Sequence, residues 1–113
     1  MKFQTVLMRM DSGENSTKER LSFDNQGQVV RAVAWLQNDP THPVYLKIEA
    51  DTGQTLVEET NIKDYIQRNG GDYLTSKKPV SFSTQKITIK ASANHSLSVD
   101  FFFEVMLIID EKK

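Results

Sequence analysis

Two histidines, a few loop carboxylates and two glycine sites are the residues whose types could do chemistry, so each is set against the spacing that chemistry needs. His42 lies between Thr41 and Pro43, and His95 follows Asn94, which puts both in expected turns. A metal centre needs a third and a fourth ligand converging on such a pair, and no His, Asp or Glu spacing in the chain supplies them. Acid–base work needs a partner that orients the ring, and nothing in the sequence marks one. Both histidines read as exposed turn residues. Asp11, Glu14 and Asp24 are loop carboxylates. Glu58 and Glu59 are neighbours on an expected strand, where successive side chains point to opposite faces and cannot work as a couple. Ser12-Gly13 and Gly70-Gly71 lack the spacing and strand-to-helix placement of a phosphate loop. The absence of cysteine removes thiol nucleophiles, disulfides and zinc–thiolate sites together. No catalytic residue, cofactor or metal is therefore expected, and the chain reads as a non-enzyme.

A binding surface is the chemistry left to weigh. Trp35, Tyr45, Tyr65 and Tyr73, with Lys47, Lys77, Lys78 and Lys90, offer the aromatic and cationic residue types that stack and hold single-stranded nucleic acid or sugar. Fourteen basic residues stand against fifteen acidic ones, for a net charge of −1. A protein built to grip a phosphate backbone carries a basic excess, so nucleic acid is an unfavoured partner. The strand count also exceeds that of a five-stranded oligonucleotide-binding barrel.

The elements that would position these residues are mostly strands. Val44–Ala50 alternates, with Val44, Leu46, Ile48 and Ala50 on one face and Tyr45, Lys47 and Glu49 on the other, as in a half-buried antiparallel strand. Lys86–Ala91 repeats the pattern with Ile87, Ile89 and Ala91 inward, and Val80 and Phe82 alternate just before it. Phe3–Met10 reads as a strand with both faces apolar. Asp11–Arg20 reads as a solvated loop, with a short strand at Leu21 and Phe23 before a turn at Asn25-Gln26-Gly27. Gln28–Leu36 places Val30, Ala32, Ala34 and Leu36 inward, and Val29, Val33 and Trp35 outward. The prolines of Asn38–Pro43 mark a turn. Asp51-Thr52-Gly53 is a hairpin signal leading into Gln54–Glu59.

One helix interrupts the strands. Asn61 can cap it, Ile62, Tyr65 and Ile66 share a face, and Gly70-Gly71 supplies a left-handed stop. The closing segment, Leu97 to Ile109, alternates strictly and predicts a strand of about 43 Å. Its second face is polar at Ser98 and Asp100, then turns apolar at Phe102, Met106 and Ile108. A stripe of this kind is covered by the helix, by a loop or by another subunit, because monomers rarely leave one bare. Phe102, Met106, Ile108 and Trp35 are thus the candidate interface residues.

At 113 residues, the expectation is a single antiparallel β-sandwich domain spanning the chain. No stretch reaches the roughly 18 apolar residues of a membrane-spanning helix, and the N-terminal segment has no apolar core of signal-peptide length. A cytoplasmic site of synthesis is expected. About eight strands, with one short helix between the middle ones and a long final strand, predict an eight-stranded jelly roll. The strand Val44–Ala50 with its Asp51-Thr52-Gly53 turn, the helix Asn61–Gly71 and the closing strand Leu97–Ile109 resemble the single jelly-roll proteins of tailless bacterial viruses, such as penton or minor capsid components. The resemblance implies a shell protein in a virion, without enzymatic activity, that forms homo-oligomers and meets neighbouring structural proteins. The alternative is a β module that binds carbohydrate or single-stranded nucleic acid.

Overall fold

The computed structural model describes residues 2–23, 27–66, 77–82 and 86–111. Eight strands run β1 (Lys2–Met10), β2 (Ser16–Ser22), β3 (Gly27–Leu36), β4 (Val44–Ala50), β5 (Thr55–Asn61), β6 (Lys78–Phe82), β7 (Lys86–Ala93) and β8 (Phe101–Glu111). They form two four-stranded antiparallel sheets, ordered β1-β8-β3-β6 and β2-β7-β4-β5. Consecutive strands alternate between the sheets except at the β4–β5 pair, and the order is that of a jelly roll, as the strand count and long final strand predict.

The alternation that makes each strand also makes the core. Val44, Leu46 and Ile48 on β4 meet Ile87, Ile89 and Ala91 on β7. Opposite them stand Met8, Met10, Ala32, Ala34, Phe101, Phe103, Val105 and Leu107 from the first sheet, all within one buried cluster. Each large apolar side chain so buried contributes roughly 1.5–3 kcal/mol against exposure. Phe101 and Phe103, two residues apart on one face of β8, stack with ring centroids 5.0 Å apart.

Four local expectations need correction. Residues 16–20, read as loop, join Leu21 and Ser22 in β2; this edge strand is exposed over most of both faces, so it shows no clear hydrophobic period. The closing strand starts at Phe101 rather than Leu97, because the backbone of the preceding residues bonds to other loops instead of a ladder. Leu97 N–H donates to the Glu14 carbonyl at 3.0 Å, and Ser98 N–H to Thr41 Oγ1 at 3.0 Å. Val29 faces the core rather than outward, because a bulge between Val29 and Arg31 shifts the register.

The expected helix is the fourth. It is a single 3-10 turn, Ile62–Tyr65, whose Asn61 side chain accepts from Lys63 N–H at 2.9 Å. Ile66 has already turned extended (φ −71, ψ 140) and is exposed, off the predicted face. Ile62 and Tyr65 are buried as that face requires. Gly70, Gly71 and Tyr73, with Asp24, Asn25 and Gln26, lie outside the described residues, as does the side chain of Val30.

Candidate interaction surface

The outer face of the first sheet is set by the cross-strand register. Arg9 pairs with Phe102, Leu7 with Glu104, Thr5 with Met106 and Phe3 with Ile108 across β1 and β8; Trp35 pairs with Glu104 and Val33 with Met106 across β8 and β3. The face divides in two. At one end Val33, Met106 and Ile108 form a small buried cluster, with Met106 at 6% and Ile108 at 0% exposure. Two of the four candidate interface residues, Met106 and Ile108, are thus buried. Both sit in the interior of the sheet, and Arg31 beside them donates to the Lys77 carbonyl at 3.3 Å.

The other end is open. Phe102 and Trp35 are each 38% exposed, and Leu7, which the sequence did not single out, is 67% exposed. Leu7 and Trp35 flank Glu104 in one row, and Phe102 lies one row on, within the 7–8 Å typical of diagonal neighbours. A groove of about 430 Å³ beside them is lined by Leu7, Arg9, Glu14, Gln37 and Phe102, among others. Leu7 could have been found from the sequence, since Phe3–Met10 is apolar on both faces and one of them must face outward.

The loops that frame this end are stitched together. Ser12 N–H donates to Asp100 Oδ1 at 2.7 Å and its hydroxyl to the Ser98 carbonyl at 3.0 Å. Asn38 clamps the start of β8, donating from Nδ2 to the Asp100 carbonyl at 2.9 Å and accepting from Phe102 N–H at 3.0 Å. Arg9 and Asp11 form an exposed ion pair at 2.5 Å, an arrangement worth little in water. His42 and His95, distant in sequence, are brought to 5.2 Å between ring centroids. Among the described residues no three His, Cys, Asp or Glu gather as metal ligands.

The aromatic and basic residues weighed for nucleic acid or sugar are scattered. Trp35 is on the first sheet. Tyr65 and Lys77 are buried, and Lys78 lies over the Tyr65 ring at 5.2 Å while bonding Asp64. Burial pushes the Tyr65 phenol up to about 12, the neighbouring Thr60 hydroxyl pulling the other way. Among the described residues of that set, only Tyr45, Lys47 and Lys90 share a surface, the outer face of the second sheet. There Lys90 pairs with Lys47 on one side and Lys18 on the other. Glu49 meets Lys90 at 2.5 Å and Lys47 at 3.4 Å, and the Lys90 hydrogen bond holds its carboxyl below the ordinary range. Glu58 and Glu59 do not sit on a regular strand. A bulge sets both against β4 between Leu46 and Ile48, and both are exposed, so simple alternation does not separate them.

No protein-family model matches the chain, and no curated protein matches it. Among solved structures, it is similar to the crystal structure of Yersinia pseudotuberculosis-derived mitogen, with a TM-score of 0.56 and 12% identity over 99% of this chain and 89% of that one. At that identity the likeness shows a shared mainly-β fold. It brings no support for a virion role. No helix among the described residues is long and apolar enough to cross a membrane.

Proposed function

We propose that this chain is a non-enzymatic structural module that works by self-association, and that its open contact surface is the Leu7–Trp35–Phe102 end of the first sheet. The exposure of these three side chains on one face carries the reading: a closed sandwich with a well-filled core still leaves large apolar groups open to water around Glu104. A second feature supports it. β1 is a nine-residue edge strand, bonded on one side only by β8, and long apolar edges readily pair with another chain. A shell or vertex of a virion is the setting we propose, since jelly rolls are common there.

Size-exclusion with light scattering tests the association. A symmetric oligomer is expected for the wild type, falling to monomer in a Leu7→Glu/Trp35→Glu double variant. A monomeric wild type, or an oligomer indifferent to both changes, would refute the reading. Closed rings or particles in negative-stain images are expected of a shell component; a plain dimer would leave association standing and remove the shell.

A further inference from the structure

The outer face of the second sheet carries an arrangement that stability alone does not favour. Lys18, Lys90 and Lys47 stand directly opposite one another across β2, β7 and β4. Like charges in that position destabilise a sheet. One carboxylate, Glu49, serves Lys90 and Lys47, and among the described residues Lys18 has no ion pair. A concavity of about 680 Å³ lies over this row, and Glu14, Ser16, Glu59 and Ser92 also line it. Ser92 donates its hydroxyl to Glu59 at 2.9 Å, and Tyr45 stands beside Ser92 in the next row.

The charge pattern selects the ligand class. The row's three positive charges meet one carboxylate, Glu49, which leaves two in excess, and Glu14 and Glu59 sit on the lining, so an extended polyanion would meet repulsion as soon as it left the row. A single anionic group on a hydroxyl-rich molecule fits better, because carboxylates and serine hydroxyls accept and donate to hydroxyls while lysine takes the anion. We propose that this face binds an acidic saccharide, its anionic group on Lys18 and Lys90 and its hydroxyls on Ser16, Ser92 and Glu59. The site lies on the sheet opposite the proposed contact surface and does not depend on self-association.

Calorimetric titration at low salt tests it, with four probes: sialyllactose and aldobiouronic acid, each with a single carboxylate, neutral maltohexaose, and oligothymidylate. Binding of at least one acidic oligosaccharide is expected, with maltohexaose weaker. Lys18→Gln should weaken it about fivefold, as loss of an exposed charge contact does. Glu49→Gln should tighten it by releasing two lysines, a gain that loss of folding cannot mimic. Binding of neither acidic sugar, equal binding of maltohexaose, an unchanged Lys18→Gln, or no gain in Glu49→Gln would each overturn the proposal. Tighter binding of oligothymidylate would also overturn it and assign the face to nucleic acid.

Discussion

At the scale of single residues, Glu49 shows how one side chain can govern a surface. Its carboxylate sits between two ammonium groups, and the hydrogen bond from Lys90 holds its proton affinity down. A depressed carboxyl stabilises the fold fully above its unfolded value, near the ordinary 4.5, and that contribution is lost as the pH falls through the lower folded value. Acidification then leaves three facing lysines without a counter-charge. Wild-type protein should lose more stability than Glu49→Gln between neutral pH and about pH 3, read as the shift in urea midpoint. An equal shift in both proteins would show that Glu49 titrates without consequence for folding. At the core, Phe103→Ala removes a buried ring stacked on Phe101 and should cost about 3–5 kcal/mol. Thr5→Ala, on an exposed position of the edge strand, should stay within about 0.5 kcal/mol, and denaturant melts compare the two directly.

Among the elements, legibility followed burial. β4 and β7 bury alternate residues, so their identity and inward faces could be read from Val44-Leu46-Ile48 and Ile87-Ile89-Ala91, although β7 runs two residues beyond the expected Ala91. β2 could not, because Lys18, Glu19 and Arg20 are polar on both faces of a strand that borders solvent. The Asn61 cap was readable, but the turn it starts stops at Tyr65 instead of continuing as an α-helix. Replacing Asn61 with Ala should cost about 1 kcal/mol if the cap fixes that turn. A variant as stable as the wild type would mean that Ile62 and Tyr65 hold the turn by burial alone. The candidate surface was half legible: Trp35 and Phe102 are open, whereas Met106 and Ile108 are closed by the chain's own packing. Alternation says which face a residue is on, and only the tertiary structure says what lies over it. The lysine row was hidden for a related reason, since Lys18, Lys47 and Lys90 meet only once the pairing of β2, β7 and β4 is known.

For the whole molecule, the two sheet orders place most strand partners far apart in sequence. β1 pairs with β8, β2 with β7 and β3 with β6, so each ladder must close a long loop before it gains a bond. Refolding from urea should accordingly take about milliseconds to seconds, slower than a helical protein of this length, as stopped-flow fluorescence of Trp35 can follow. The central place of β8 has a further bearing on how the protein is made. Residues 101–111 leave the ribosome after β1 and β3, yet they fill the position between them. Until they arrive, β1 has no ladder partner and β3 has only β6, so the backbone groups that β8 will bond stay open on both. The nascent chain is thus briefly a receptor for its own last strand, and a free peptide of that sequence would compete for the berth.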